Sequence, residues 1–536
     1  MEHVSVRRHR ALSAVLTVAV AIVAIMSVAA WGNTAAKTAG TYRAAYSNTI
    51  TSWDPSSSFS TETSYLANMY EPLIWATYPG YKKQYVPCLA TSWTRSKNGL
   101  VWTFNLRKGV TFHDGTAFTS AAVKYSLERT KNTPAGAGYL LAPIKSITPM
   151  GPYKVKFTLS YAVGLERILS ANYGMYMFSP KTSTWKNWDS TPKEDGTGPW
   201  VLTSYKAGDT LTFKRYAKYW GGWNAHQFNN IVVKIVVDGT TQQQMLTSGA
   251  VDYQTVVNRD QVKSLSKNKN VKVYKIKTWY NYMCCFNCRR APLNKVAVRR
   301  ALSYAMPYKD IITVAMNGYA TQARGPVPVG LWPNGTKTKL PQYSYNPKKA
   351  DQMLTAAGYP KSKRGSIKLT LTYAAENTLE KAFCPLIKES FKKLGISVSV
   401  SALLWNSQYA TAVGPASNRQ DLFVILWWPT PDGYDNLTSL FQTETAPAWN
   451  FGYWYNKGYD NLIAKAYKLN ATKPAAAQAL FTTAQKTIIS QAPAAYLFDS
   501  MTIVAALKNI KFTYKGGLGA GNANYSMVQF WYYVGK

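Results

Sequence analysis

Strands and helices alternate along most of this chain, and that alternation limits its fold more than any other feature. The stretch NNIVVKIVVDG (229–239) has the composition of a buried strand, and TQQQMLTSG (241–249) after it has helical spacing. VWTFNL (101–106) and KVKFTL (154–159) alternate apolar with polar residues, as half-buried strands do. The repeated passage from strand to helix predicts an α/β fold. A hydrophobic content of 46% is enough for a large core.

The N-terminus has the pattern of an export signal. Arg7, Arg8 and Arg10 precede an apolar stretch at 11–30, and small alanines follow it. This pattern predicts that residues 1–39 are a secretory signal peptide and that the body lies outside the cytoplasm. The apolar stretch is also long enough to span a bilayer, so an uncleaved signal-anchor that keeps the protein near the membrane is the alternative. No cysteine follows the stretch, so a lipoprotein anchor is not expected.

The net charge of +37 comes from 62 basic and 25 acidic residues. Such a charge raises the question of a nucleic-acid partner. The basic residues are scattered, with only short pairs such as Arg289-Arg290 and Arg299-Arg300, so no nucleic-acid partner is expected. The shortage of acid fits an extracellular protein in an acidic medium, because paired carboxylates lose their stabilising effect on protonation.

The residues of catalytic and metal sites are scarce. Outside the N-terminal segment the only histidines are His113, in a turn, and His226. The motif CCFNC (284–288) contains one C-x-x-C pair, whereas a structural zinc site needs four ligands. No G-x-S-x-G or P-loop motif is present, so neither an enzyme nor a bound cofactor is expected. Disulfide pairing stays open among Cys88, Cys284, Cys285, Cys288 and Cys384.

A long stretch of sequence carries a family resemblance. PCLATSWTRSKNGLVWTFNLRKGVTFHDGTAFTSAAVKYSLER (87–129) resembles the peptide- and nickel-type (family 5) extracytoplasmic solute-binding proteins of ABC importers. Further matching segments follow in the family's order: GTGPW (196–200), YAKYWGG (216–222), FNCRRAPLNKVAVRRALSYAMPYKDII (286–312), KKADQMLTAAGY (348–359) and FKKLGISVSV (391–400).

The resemblance implies a two-lobed periplasmic-binding-protein-like α/β fold with an inserted subdomain and a ligand cleft between the lobes. Lobe I would comprise 40–74, 195–278 and 503–536, with the subdomain at 75–194 and lobe II at 279–502. The chain would cross between lobes near Trp279 and Ser500. The protein would capture a peptide-like solute by hinge closure. It would act as a monomer and deliver the solute to permease and ATPase subunits on separate chains.

The segment ILWWPTPDGYDN (425–436) is the candidate ligand wall. Trp427 matches a family tryptophan that contributes to the pocket, and neighbouring strand residues point to opposite faces, so Trp427 and Trp428 cannot share one core. In peptide-binding relatives an aspartate three residues further on pairs with the peptide amine. Here that position is Thr430, which cannot supply the charge-assisted bond. Asp432 is the nearest replacement.

Further cleft residues follow from the resemblance. Trp405, at the end of the predicted strand ISVSVSALLW (396–405), matches a pocket position. One of Tyr280 and Tyr282, beside the first crossing, is expected to face the ligand. The loop SWDPSSS (52–58) faces the cleft in relatives, and its hydroxyl and backbone groups would come from Ser56, Ser57 and Ser58.

Three rival functions follow from the residues. An aromatic, acid-poor pocket also suits an oligosaccharide. The positive charge suits a cell-surface binder of polyanions, whose binding would weaken steeply with salt. An extracellular hydrolase is disfavoured by the missing nucleophile motif and by the scarcity of histidine.

Overall fold

The computed structural model of the protein describes most of the chain after the N-terminal segment. The described residues are 40–58, 61–77, 82–133, 136–334, 338–427, 432–444, 448–470, 472–513 and 529–536. The predicted signal segment, 1–39, lies outside them. Within these ranges no helix has the length and apolar character needed to cross a bilayer.

The strands are numbered in chain order. They are β1 Thr41–Tyr46, β2 Ile74–Ala76, β3 Tyr85–Pro87, β4 Ala90–Arg95, β5 Val101–Leu106, β6 Ile144–Pro149, β7 Lys154–Leu159, β8 Trp200–Lys206, β9 Thr210–Arg215, β10 Asn230–Ile235, β11 Tyr253–Gln254, β12 Val271–Phe286, β13 Ala320–Gln322, β14 Lys368–Ala374, β15 Ser397–Leu403, β16 Leu422–Trp427, β17 Ala494–Leu507, β18 Lys511–Phe512 and β19 Val534–Gly535.

The α-helices pack on both sheet systems. They are Thr63–Met69, Ser120–Asn132, Leu165–Leu169, Gly239–Thr247, Val262–Ser266, Val296–Ala305, Tyr308–Asp310, Pro347–Ala356, Lys361–Arg364, Thr378–Lys392, Trp405–Val413, Tyr434–Phe441, Lys457–Asn470 and Pro474–Gln491. A π-helical turn, Ile311–Ala315, and short 3-10 segments complete the secondary structure.

The main sheet of the described residues has eleven strands. Its order is β15-β14-β16-β12-β17-β11-β1-β10-β9-β8, with β13 also paired to β17. The long strands β12 and β17 run antiparallel, from Val271 opposite Leu507 to Cys285 opposite Ala494. Their register shifts between Lys277 and Asn281 and again after Tyr282. Such irregularities bend a strand pair, so the sheet changes direction at its middle.

Burial divides the molecule into two parts about this bend. One face of the sheet is covered by a continuous core that includes Tyr253 and Phe423. The other face carries two separate cores, one around Leu246 and Val262 and one around Phe383. We call the part built on β1 and β8–β11 the first lobe, and the part built on β14–β16 the second lobe.

A separate antiparallel sheet, β4-β5-β7-β6, forms the inserted subdomain together with β3 and the helices Ser120–Asn132 and Leu165–Leu169. Trp102 and Phe104 of β5 and Phe157 of β7 are buried on one face, as the alternating pattern of each strand requires. The subdomain therefore has an apolar face of its own, which the helices cover.

The inserted subdomain is joined to the first lobe by a buried charged network. His113 Nδ1 lies 2.6 Å from Glu194 Oε2, and Nε2 lies 2.8 Å from the carbonyl oxygen of Gly198. Both partners are acceptors, so both ring nitrogens donate and the ring is protonated. Burial lowers the pKa of His113, but the Glu194 carboxylate outweighs burial and raises it. Asp195 accepts a hydrogen bond from the backbone N–H of Asp114 at 3.0 Å.

All five cysteines lie in the described residues, and none forms a disulfide. Cys88, Cys284, Cys285 and Cys384 are buried, and Cys288 is half-buried. Burial raises the pKa of each thiol, which keeps it protonated and unreactive.

Candidate solute-binding site

A row of side chains crosses the sheet at its bend. Asn281 of β12 is directly opposite Trp427 of β16 on one side and Asp499 of β17 on the other. Directly opposed residues point to the same face, so a tryptophan and a carboxylate lie on either side of the buried Asn281. Asn281 Nδ2 donates a hydrogen bond of 2.7 Å to Asp499 Oδ1. Burial raises the pKa of Asp499 to about 6.

Aromatic side chains extend this row into a wall. The Trp427 ring meets Trp449 edge to face at 5.5 Å, and Trp449 is stacked on Trp405 at 6.4 Å. The Trp427 Nε1 atom is buried and makes no hydrogen bond with the described residues. The wall therefore presents a buried donor that the fold itself does not use.

The structure corrects the secondary structure predicted for Trp405. The predicted strand 396–405 ends at Leu403, and Trp405 begins the helix Trp405–Val413. Its backbone N–H donates to the Glu376 carboxylate at 3.1 Å. An acidic group at a helix N-terminus satisfies a backbone donor and complements the helix dipole, which favours helix over strand here.

The inserted subdomain contacts the second lobe on the sheet face that carries Asn281 and Trp427. The central carbon of the Arg167 guanidinium lies over the Trp332 ring, 3.6 Å from its centroid. Nearby, Tyr161 meets Tyr467 edge to face at 6.3 Å. These contacts join residues far apart in sequence and bring the inserted subdomain against the second lobe.

Asp432 lies beside this contact and is only 6% exposed. Its Oδ1 accepts the backbone N–H of Tyr434 at 3.0 Å, and Tyr434 is stacked on Tyr467 at 3.7 Å. Burial raises the pKa of Asp432 to about 6, although the Arg167 charge opposes the shift. A cation placed beside such a buried carboxyl would favour its charged form.

Two predicted residues lie outside the described residues. They are Trp428 and Thr430, so their roles remain predictions. Trp427, which precedes them, is half-buried, and its contact with a solute also remains a prediction.

Of the two tyrosines at the crossing, Tyr282 does not face a cleft. Its ring is stacked on Phe498 at 4.6 Å and meets Phe383 edge to face, inside the core of the second lobe. In a regular strand, Tyr280 and Tyr282 would point to the same face of the sheet. The irregular register between Lys277 and Asn281 gives the two side chains different surroundings. Tyr280 is buried, and its contact with a solute remains a prediction.

The serine hydroxyls of the loop 52–58 are used within the protein, contrary to the expectation that they face a solute. Ser56 Oγ accepts from Arg129 Nη1 at 2.5 Å, and Ser58 Oγ donates to Glu62 Oε1 at 2.7 Å. Ser57 Oγ donates to the Asp189 carboxylate. These side-chain partners hold the loop against the inserted subdomain.

Sequence reasoning missed several residues of this region: Tyr85, Tyr161, Arg167, Trp332, Tyr467 and Asp499. A signal existed only for Asp499, an acid inside the otherwise apolar strand AAYLFDSMTIVAAL. An acid in a buried strand is unusual enough to be a candidate site residue. Arg167 and Trp332 carry no comparable local signal.

Metal-binding geometry is absent from the described ranges, where no group of three or more His, Cys, Asp or Glu side chains could hold an ion. The candidate site is therefore built from aromatic rings, two carboxylates and one guanidinium.

These features define a class: a two-lobed α/β binding protein with an inserted subdomain and a cleft between lobes. Residues 84–451 match the model of the bacterial extracellular solute-binding proteins, family 5. The match covers well over half of the chain, and the protein belongs to this family. The family consists of solute-binding receptors that act outside the cytoplasm.

Similar proteins agree with this assignment. The chain is 28% identical to the glutathione-binding protein GsiB of Escherichia coli over 430 residues, which is 79% of this chain and 82% of GsiB.

Solved structures share the fold. The periplasmic binding protein DppA of Helicobacter pylori, in complex with the peptide STSA, superposes with a TM-score of 0.77 at 23% identity, over 92% of this chain and 98% of DppA. NikZ of Campylobacter jejuni, in complex with Ni(L-His), gives a TM-score of 0.79 at 23% identity, over 93% and 99% of the two chains.

Proposed function

We propose that this protein is the receptor of an ABC importer for a peptide-like solute, which it captures by closing its lobes. It has no catalytic role, acts as a monomer, and delivers the solute to permease and ATPase subunits on separate chains. The relatives named above bind glutathione, a peptide or a nickel–histidine complex, which supports a solute of amino-acid chemistry.

The contact of Arg167 with Trp332 carries this proposal. It joins the inserted subdomain to the second lobe beside the buried Asp432. A solute held on this face of the sheet would touch both sides at once. Closure would therefore remove the solute from water and strengthen its polar contacts.

The hinge of this motion is assigned to β12 and β17. The register shifts between Lys277 and Met283 coincide with the predicted crossing at Trp279, and Ser500 lies on the paired strand. We propose lobe boundaries at 40–74, 195–278 and 503–536 for the first lobe, 75–194 for the subdomain and 279–502 for the second lobe.

The amine of the solute is assigned to Asp432. With Thr430 at the position where peptide-binding relatives carry an aspartate, another carboxylate must neutralise an ammonium group. Burial raises the pKa of Asp432 to about 6, and a cation beside it would lower that pKa again. Asp499 is the alternative, because it lies on the same sheet face as Trp427.

Thermal unfolding of the purified protein tests this function. The panel contains glutathione, di- to pentapeptides and oligosaccharides, each at about pH 5 and pH 7. A ligand that binds only the native state at a hundredfold excess over its Kd stabilises it by about 2.7 kcal/mol. Stabilisation by at least one peptide is expected. If no peptide stabilises the protein, the proposed solute class is wrong.

An oligosaccharide is the second candidate. The wall of Trp405, Trp427 and Trp449 supports it, because aromatic faces line pockets for largely apolar ring surfaces. Stabilisation by a sugar that disappears in Trp427→Ala would favour this solute over a peptide.

The same purification tests the N-terminus. Cleavage within residues 1–39 is expected, which gives an extracytoplasmic protein without a lipid anchor. Retention of the apolar stretch 11–30 in the membrane fraction would instead support a signal-anchor.

A further inference from the structure

We propose that Arg167, together with Tyr85, binds a carboxylate of the solute and so restricts the receptor to peptides with a free carboxylate. This inference rests on the proposed function and names the part of the solute that the inserted subdomain recognises.

The position of the Arg167 guanidinium is fixed by its neighbours. Its central carbon lies over the Trp332 ring, 3.6 Å from the centroid. On the inserted subdomain, the guanidinium lies beside Gly164, where an added Cβ would be in ordinary contact with Arg167 Nη1 at 3.4 Å. A guanidinium held flat on a ring can form hydrogen bonds only through the N–H groups at its edge.

No carboxylate of the described residues forms a close ion pair with this guanidinium, although its charge opposes the rise that burial causes in the pKa of both Glu166 and Asp432. Arg167 is in none of the ion pairs within 4.0 Å. Its neighbour Glu166 accepts the Trp93 Nε1–H at 3.3 Å, and burial raises the pKa of Glu166. Burial raises the pKa of Asp432, and the Arg167 charge opposes that shift. An arginine without a close counter-charge in a partly buried contact is costly unless another anion arrives.

Tyr85 provides a second donor at the same place. Burial raises the pKa of the Tyr85 phenol and outweighs Arg167, which lowers that pKa through its charge and through the proximity of its guanidinium to the hydroxyl. The phenol therefore keeps its proton. Tyr85 Oη and Arg167 Nη1 are both buried, and neither makes a well-formed hydrogen bond with the described residues. Two adjacent unused donors suit one shared acceptor.

The acceptor that fits is a carboxylate. It offers two oxygens and a full negative charge, so bonds from Arg167 and Tyr85 would both be charge-assisted. Asp432, across the contact, has the opposite charge and suits an ammonium group. A peptide carries both groups, whereas a neutral sugar carries neither.

Binding of matched peptides by the full-length protein tests this inference. The probe is tri-alanine, with a free C-terminus and as the C-terminal amide, measured by calorimetry at pH 7. Loss of a hydrogen bond to a charged group corresponds to about 10- to 100-fold in affinity. The free acid is therefore expected to bind the wild-type protein at least about tenfold more tightly than the amide.

Three variants test whether Arg167 and Tyr85 cause the preference for the free acid over the amide. In Arg167→Met the free acid should bind no better than the amide, and Tyr85→Phe should reduce the preference in part. Arg107→Met is the matched control, because Arg107 also stacks on a tryptophan, Trp220, at 4.0 Å, but outside the contact between lobes. Arg107→Met should keep the full preference. Circular dichroism identifies any variant that fails to fold. If Arg167→Met does not fold, the acid-over-amide preference of Tyr85→Phe tests the inference instead.

The outcomes separate the two proposals. Equal binding of acid and amide by the wild-type protein overturns the carboxylate assignment and leaves the peptide receptor standing. A preference that persists in folded Arg167→Met also overturns it. Failure of both the acid and the amide to bind overturns the proposed function, and this inference with it.

Discussion

The two contacts of the inserted subdomain differ in how they use polar groups. At the first lobe, both nitrogens of His113 have acceptors, and Asp195 accepts a backbone donor. At the second lobe, Arg167 Nη1 and Trp427 Nε1 are buried without a hydrogen bond in the described part of the chain. A satisfied network stabilises one arrangement, whereas unused donors are a liability unless a ligand binds them. The comparison predicts that the contact with the first lobe serves folding and that the contact with the second lobe serves binding.

The largest effect should come from breaking the folding contact. His113→Leu leaves the Glu194 carboxylate buried without its partner, which should reduce the free energy of unfolding by about 3–5 kcal/mol. Urea unfolding measures the loss. Arg167→Met, on the binding contact, should change the free energy of unfolding by less than about 1 kcal/mol, because the lost cation–π contact is offset by removal of a charge without a close counter-charge. Equal losses at the two contacts would contradict the comparison.

Asp432→Asn, at the binding contact, should raise stability and lower peptide affinity, whereas His113→Leu lowers stability. Peptide affinity should fall about 10- to 100-fold, because a charge-assisted bond to the amine is lost. Stability at pH 7 without ligand should rise by up to about 3 kcal/mol, because the variant no longer ionises a buried carboxyl. Calorimetry and urea unfolding measure the two quantities.

Asp499→Asn is the control for that prediction. It removes the other carboxylate whose pKa burial raises to about 6. If Asp499→Asn abolishes peptide binding and Asp432→Asn does not, the amine site lies at the bend of the sheet.

The pH dependence of stability sharpens the comparison at the folding contact. The pKa of His113 is raised, so its contribution is complete below about pH 6.5 and is lost as pH rises through its folded-state pKa. Burial raises the pKa of Asp195 to about 6, so its contribution is present below about pH 4 and is lost as pH rises through 6. The melting temperature should therefore fall between pH 4 and pH 8.

A melting temperature that rises over this range would contradict the prediction, and with it the idea that the acid-poor sequence suits an acidic medium. The His113→Leu variant should show a smaller fall, because one of the two groups is gone.

The smallest effect is expected from Trp427→Phe. The substitution keeps an aromatic ring against Trp449 but removes the buried Nε1–H. Unfolding should change by less than about 1 kcal/mol, whereas solute affinity should fall severalfold through the loss of one neutral hydrogen bond. A fall in stability with unchanged solute affinity would show that Trp427 serves folding and does not contact the solute.

The sequence predicted the regular elements well where the local pattern determines them. The strands 101–106 and 154–159 agree with the structure residue by residue, because alternation alone specifies a half-buried strand. The helix Thr378–Lys392 follows the helical spacing of its apolar residues, and Pro385 inside it neither ends it nor delays its start.

Long-range partners could not be predicted. The sequence 396–405 has a strand pattern to its end, but Glu376, 29 residues away, caps a helix that begins at Trp405. The hydroxyls of Ser56 and Ser57 bond to Arg129 and Asp189, which no local pattern reveals. The same holds for the contact between Arg167 and Trp332, which joins residues far apart in the sequence.

Asn281 has a consequence for how such a receptor would signal that it is loaded. It lies at the irregular register where the central strands bend, and it is also the neighbour of Trp427 and Asp499. The proposed ligand contacts, Trp427 and Asp499, are therefore direct neighbours of the proposed hinge residue, and no longer pathway is needed to couple them. A substitution that changes solute affinity here would then also change the rate at which the lobes open.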